Sequence, residues 1–124
     1  DAGAIPQESY DLACIFDAWH DMGDPVGIAR SIKDTLADDG TFMVVEPMAL
    51  DGLQNNIENN PGAAMFYAFG TMICVPASKA QRVGLGLGPQ AGPKKLMELL
   101  SEAGFSSVSL AAETTNNLVF QANN

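Results

Sequence analysis

Histidine, tryptophan, cysteine and positive charge are the scarce ingredients of this chain. Its 124 residues hold one histidine, one tryptophan, two cysteines and six lysines plus arginines. Two cysteines make neither a disulfide framework nor a metal cluster. Cys14 and Cys74 each sit in an apolar run and read as buried thiols of a reduced, cytoplasmic protein. Six basic residues against fifteen acids leave a net charge of −9, which argues against binding a phosphate backbone and hence against a nucleic-acid partner. No apolar run reaches the length of a membrane span, and no basic, apolar signal segment opens the chain, so no membrane partner is expected. An initiator methionine is also lacking; the chain opens at Asp1, as a processed product, a cut product or an incomplete reading frame would. Charged residues make up 17% and hydrophobic ones 47%, a balance that excludes disorder and allows one domain, residues 1–124, with a real core.

What is present is unevenly placed. Twelve of the fifteen acids fall in residues 1–58 against Arg30 and Lys33, a local net charge of −10, while the remainder carries +1. A solvated acidic surface is the simpler reading; an acidic cleft for a cationic ligand is the sharper one.

Apolar spacing sets the order of elements. Leu12-Ala13-Cys14-Ile15-Phe16 is a continuous apolar run, the mark of a parallel strand covered on both faces. Gly23-Asp24-Pro25 follows, with Asp24 suited to the N-cap and Pro25 to the first helical position. Val26, Ile28, Ala29, Ile32 and Leu36 then recur at helical spacing, and Gly40 is the expected stop. Phe42 to Val45 is a second buried strand ending at Glu46-Pro47, so the unit should be a parallel strand–helix–strand crossover. Residues 48–60 read as a polar loop. Asn60-Pro61 opens a second helix, apolar on nearly every face from Ala63 to Val75. Such a helix is buried: in its own core on the favoured reading, otherwise as a dimer contact, with a cleft between subunits lined by Met65, Phe66, Tyr67 or Met72, or as a substrate-pocket wall. Pro93 starts a third helix with Leu96, Leu99, Leu100 and Ala103 on one face and Gly104 as its stop. Phe105–Ala112 and Asn117–Ala122, joined by a polar turn, complete the chain as an antiparallel pair.

The chemistry gathers around the lone histidine. Asp17, His20, Asp21 and Asp24 lie just beyond the first strand's C-terminal end, where open α/β sheets bind ligands. His20 is expected to be exposed in a cleft there, able as a neutral imidazole to take a proton from a hydroxyl. Asp17 can accept a ligand hydrogen bond or approach a cationic centre, and Glu46 ends the neighbouring strand, so the three converge on one crevice. Asp17 and Glu46 with waters are also a weak set for a hard divalent ion, and no metal ligand is assigned. The glycines of Gly84-Leu85-Gly86-Leu87-Gly88 resemble a nucleotide loop only superficially. No buried strand precedes them, and Pro89 and Pro93 remove N–H donors; a flexible loop into the last helix is expected.

With these residues in place, the chain resembles the C-terminal half of a class I S-adenosylmethionine-dependent methyltransferase of the O-methyltransferase type. Tyr10-Asp11-Leu12 through His20-Asp21-Met22-Gly23-Asp24 is similar to that family's fourth strand and following motif, and Val44-Val45-Glu46-Pro47 to the end of its fifth strand. Leu36 to Thr41 resembles the turn before that strand, and Leu99 to Phe105 the last helix entering the sixth. The resemblance implies a partial Rossmann-like α/β sheet with about three helices. It implies His20 as general base toward a small-molecule hydroxyl, Glu46 orienting it, and Phe16, Asp17 and Asp1 on the side of the S-adenosylmethionine donor. The family's first three strands and glycine-rich donor loop have no counterpart in these residues, so the isolated chain is expected to be inactive. In the metal-dependent branch an amide follows the strand-five acid; here Pro47 stands in its place.

One further expectation follows. In the family's sheet strand four lies beside strand one, so without that neighbour residues 12–16 form an exposed apolar edge. A homodimer or higher oligomer, pairing along this edge or swapping a helix, would cover it. The alternative function is accordingly a non-catalytic oligomeric binding or assembly protein built on a methyltransferase half-domain. A third reading is a small metal-dependent enzyme using Asp17, His20 and Glu46.

Overall fold

The computed structural model describes residues 9–124, so Asp1 lies outside the described residues. Strand β1 (Tyr10–Phe16) leads through a 3-10 turn at Trp19–Asp21 into helix α1 (Pro25–Lys33). Asp24 caps that helix as its place before Pro25 suggests: its Oδ1 accepts the Gly27 N–H at 2.8 Å. The helix ends at Lys33, well before the Gly40 stop read from the sequence. Leu36 keeps helical spacing from Ile32, yet it opens strand β2 (Leu36–Pro47) and pairs with Tyr10. Leu36 is buried in this strand and would be buried in a longer helix too, so apolar spacing cannot separate the two. Gly40 serves a close approach instead: a Cβ there would come within 2.7 Å of the Tyr10 carbonyl.

Beyond β2 come α2 (Leu53–Asn59), α3 (Ala63–Phe69), a π turn at Gly70–Cys74, α4 (Val75–Lys79) and α5 (Pro93–Glu102). Strands β3 (Ser107–Glu113) and β4 (Asn117–Asn123) close the chain. The sheet order is β1-β2-β4-β3; the parallel β1–β2 unit and the antiparallel β3–β4 pair are as the sequence predicts, and the antiparallel β2–β4 pairing joins them. An added helix, α2, lies in the segment 48–60 read as a loop, and α4 carries the apolar helix past Val75 to Lys79. Helix α2 buries no apolar stripe, since Leu53 and Ile57 are 60% and 61% exposed. Asn56 ties it down: its side chain accepts the Leu50 N–H at 2.8 Å and donates to the Leu50 and Gly52 carbonyls.

Alternation along the strands sends Phe42, Val44, Leu118, Phe120 and Ala122 to one face, where α1 and α5 cover them with Ala29, Ile32, Leu96, Leu99 and Leu100. The other face is open among the described residues. Leu12 and Phe16 are 55% and 60% exposed, and Cys14 is exposed beside them. The expectation of a strand covered on both faces, with Cys14 a buried thiol, is therefore corrected: of this run Ala13 and Ile15 reach the core, and no second helical layer packs over Leu12, Cys14 and Phe16. Cys74 is buried, as expected.

The apolar helix also departs from its core reading. Met65, Phe69, Met72 and Ile73 are between 48% and 78% exposed, because the α3–π–α4 segment lies across the ends of β1 and β2 rather than between two layers. Its far end is clamped to the turn after β1. Ser78 Oγ donates to the Met22 carbonyl at 2.8 Å, and the Gly23 N–H donates to Gln81 Oε1 at 2.9 Å. A Cβ on Gly23 would sit 2.5 Å from Gln81 Cβ and 2.8 Å from the Arg82 carbonyl. Gly23→Ala should therefore destabilise the chain by about 1–3 kcal/mol, the usual cost of overpacking. A lowered urea midpoint with an unchanged slope is the expected readout; an unchanged midpoint would show that this contact is loose.

Candidate functional site

The site forms where β1 ends. Asp17 takes the left-handed backbone region (φ 45°), uncommon for a residue with a side chain though tolerated by aspartate. Its N–H still donates to the Val45 carbonyl at 2.8 Å, which keeps the turn anchored to β2. The chain then folds back through Trp19–Asp21. Trp19 is fully buried, and its indole Nε1 donates to the Pro25 carbonyl at 3.0 Å. The turn closes on Glu46, which occupies the core-facing row after Phe42 and Val44 and is 1% exposed. Glu46 Oε1 accepts the Trp19 N–H at 2.9 Å, and Oε2 pairs with His20 Nδ1.

His20 is 4% exposed, which corrects the expectation of an exposed imidazole; the 3-10 turn carries it inward onto Glu46. Burial alone would lower its pKa. The hydrogen bond and charge of Glu46, with the charges of Asp21 and Asp17, outweigh burial and hold the pKa above its ordinary 6.5. With Nδ1 held by Glu46, the second nitrogen, Nε2, lies 3.3 Å from Asp21 Oδ1. That oxygen is buried and makes no aligned hydrogen bond. Cys74 approaches the same carboxylate from the π turn, and burial together with the Asp21 hydrogen bond pushes its thiol up to about 11. It stays protonated near neutrality and is no nucleophile.

These groups line a cavity of about 390 Å³, within the size range of small-molecule sites. Asp17, His20, Asp21, Asn116 and Asn117 supply its polar side, and Phe66, Phe69, Ile73 and Cys74 its apolar wall. Of the residues singled out from sequence, Asp17, His20 and Asp21 face the cavity, Glu46 stands behind His20, and Asp24 caps α1. Phe16 is adjacent in the chain but does not line the cavity. Within the single chain Phe66 lines the cavity, Tyr67 lines a smaller neighbouring cleft, and Met65 and Met72 are largely exposed. The hard-ion pairing of Asp17 with Glu46 does not fit, because both Glu46 oxygens are engaged inside the core. Asn116, Asn117 and Cys74 were missed. Asn117 looks like an ordinary turn residue until the register sets it opposite Pro47, where its Nδ2 donates to Asp17 Oδ1 at 3.3 Å.

The glycine-rich segment is no phosphate cradle. Three of its N–H groups are already used: Leu85 donates to the Gly23 carbonyl at 2.9 Å, Gly86 to Ser78 Oγ at 3.0 Å and Gly88 to the His20 carbonyl at 3.3 Å. The loop is thereby a brace for the turn that carries His20, and not the slack connection read from its composition.

A parallel strand–helix–strand unit closed by an antiparallel pair, with a ligand-sized cavity at the C-terminal ends of the parallel strands, defines the C-terminal part of a Rossmann-like α/β fold. The solved structures it matches include human N-acetylserotonin methyltransferase in complex with SAM (20% identity, 99% of this chain, 32% of that one, TM-score 0.64). PigF with SAH (18% identity, 100% and 34%, TM-score 0.67) and the mitomycin 7-O-methyltransferase MmcR (17%, 100% and 32%, TM-score 0.61) match in the same way. The chain has the fold of the C-terminal part of such O-methyltransferases and spans about a third of their length. No protein-family model and no curated protein matches the sequence.

The raised pKa of His20 has a direct consequence for stability. The protonated imidazole contributes fully below 6.5, its ordinary value, and the contribution is lost as pH rises through the higher folded-state value. In chelator-containing buffer the melting temperature should fall over that rise, and Glu46→Gln should lower it at acid pH and flatten the fall. A melting temperature that climbs over the same interval would contradict the assigned pairing.

Proposed function

We propose that this chain is the acceptor-side part of an S-adenosylmethionine-dependent O-methyltransferase acting on a small-molecule hydroxyl. The buried His20–Glu46 pair at the edge of the cavity carries the reading. Glu46 holds Nδ1, which leaves Nε2 as the proton-accepting nitrogen once the imidazole is neutral. Phe66, Phe69 and Ile73 offer an apolar wall to the body of an acceptor. Asn117 fixes the Asp17 carboxylate on the cavity, where it suits a cationic donor. On this reading Asp17 and Phe16, with Asp1 before them, belong to the donor side. The donor supplies an electrophilic methyl group when bound; these residues fit only one side of it, because the glycine segment has no free N–H cradle. The chain is accordingly one part of a single catalytic domain and inactive by itself. Two free cysteines, one of them exposed, suit a reducing, cytoplasmic setting.

In a complete enzyme carrying this segment, His20→Gln should lower kcat by about 10²–10⁴-fold, the usual contribution of a general base, with donor affinity unchanged. Because the base must be neutral, kcat/KM should rise with pH to a plateau above the ordinary histidine range, and Asp21→Asn should move that limb to lower pH. A loss under threefold, or an unmoved limb, would count against His20 as the base.

The exposed row of Leu12, Cys14 and Phe16 on an edge strand favours a second reading, an oligomeric binding or assembly protein covering that edge with another copy. Sedimentation at micromolar concentration should then give a dimer or larger species that Leu12→Lys dissociates. Clean monomer at that concentration would remove this reading.

A further inference from the structure

His20, Asp21 and Cys74 form a triangle that general-base chemistry does not use in full. One ligand atom from each lies within 4.8 Å of the other two. We propose that this triangle is a binding site for a borderline divalent cation of the zinc class, held by His20 Nε2, Asp21 Oδ1 and Cys74 Sγ, with a fourth position open to the cavity. Four observations converge on it.

The donor set is the first. Imidazole nitrogen, thiolate sulfur and one carboxylate oxygen suit zinc or cobalt, whereas magnesium or calcium would take oxygen ligands. The second is geometry. Metal–nitrogen and metal–oxygen bonds of about 2.0 Å at a tetrahedral angle set their ends about 3.3 Å apart. The Nε2–Oδ1 separation is 3.3 Å. The sulfur has to close by about 1 Å to complete the same face. The third is the support behind His20. Its Nδ1 is held by a carboxylate 1% exposed, which directs the Nε2 lone pair at the other two groups. A carboxylate behind a metal-binding imidazole is the recurrent way proteins fix the tautomer and raise ligand basicity. The fourth is the buried Asp21 Oδ1, which makes no aligned hydrogen bond and lies 3.3 Å from the His20 ring nitrogen. A cation would satisfy it. All three residues line the 390 Å³ cavity, which gives the ion an entry path and leaves room for a water as the fourth ligand.

Coordination exchanges ions: the thiol proton is released to solvent as the metal–sulfur bond forms, with no change of oxidation state. A bound cation also occupies the Nε2 lone pair, so metal binding and proton abstraction exclude each other. This last consequence rests on the methyltransferase reading; the cation site itself does not.

Cobalt(II) added to the reduced chain in chelator-free buffer tests the site without any activity assay. One equivalent per chain should give a sulfur-to-cobalt charge-transfer band and the intense visible bands of a tetrahedral centre. Cys74→Ser should abolish the charge-transfer band and Cys14→Ser should leave it intact. Glu46→Gln should weaken binding by about 10–100-fold, as loss of a group behind a ligand does. Asp21→Asn, at a partly exposed side chain that can be changed without disturbing the core, should weaken binding at least tenfold. No band with the wild type, or a band that survives Cys74→Ser and vanishes in Cys14→Ser, would overturn the proposal. Cobalt binding as described, beside an unaltered His20→Gln methyl-transfer rate in the complete enzyme, would retain the site and discard the base.

Discussion

A buried carboxylate organises this molecule. Glu46 stands in the row of Phe42 and Val44 that faces the core, a place where a charge without partners is penalised by several kcal/mol. Two groups relieve that penalty, the Trp19 N–H and the His20 ring, and both belong to one turn. The turn after β1 is therefore specified by an acid in β2. The remaining contacts reinforce it: the Trp19 indole reaches the start of α1, the glycine segment grips the Gly23 and His20 carbonyls, Ser78 of α4 holds the Met22 carbonyl, and Gln81 just beyond α4 accepts the Gly23 N–H. Removing Glu46 would leave an imidazole without its support, a backbone N–H without an acceptor, and a turn with no reason to fold inward.

The same constraint shapes the cavity. With His20 drawn in, Asp21 and Asp17 flank it, and the apolar α3–π–α4 segment can lie across the strand ends above them. The result is an acidic, histidine-centred floor under an aromatic wall. That combination suits an apolar small molecule with one polar group and a cationic group next to it. The open outer side of β1 has the complementary logic. Leu12, Cys14 and Phe16 have a composition suited to burial, and among the described residues no layer lies over them.

Local chemistry was legible wherever one residue decides the outcome. Asp24-Pro25 starts α1, Gly104 ends α5 at a φ of 103°, and the apolar stripe of Leu96, Leu99 and Leu100 meets the sheet. The parallel unit and the antiparallel pair were legible from apolar runs and turns. What escaped depends on long-range contacts. Leu36 satisfied a helix and a strand equally, and pairing with Tyr10 decided it. The polar run of α2 carries no periodic signal, and Asn56 holds it through carbonyls of the preceding loop. Burial of His20 follows from Glu46 in another strand, and Asn117 reaches Asp17 only through register. Cys74 looked like one more apolar residue until the π turn brought it to Asp21. The candidate site was thus half readable: the acid–histidine floor was visible, while its amides, its thiol and its depth were not.

The pairing of His20 with Glu46 is the claim on which the site stands, and nitrogen-15 NMR of the imidazole reads it most directly. Nδ1 should carry a proton at every pH, strongly deshielded and slow to exchange, while Nε2 alone titrates above the ordinary histidine range. An imidazole that interconverts freely between tautomers, or one whose Nδ1 loses its proton first, would contradict the account.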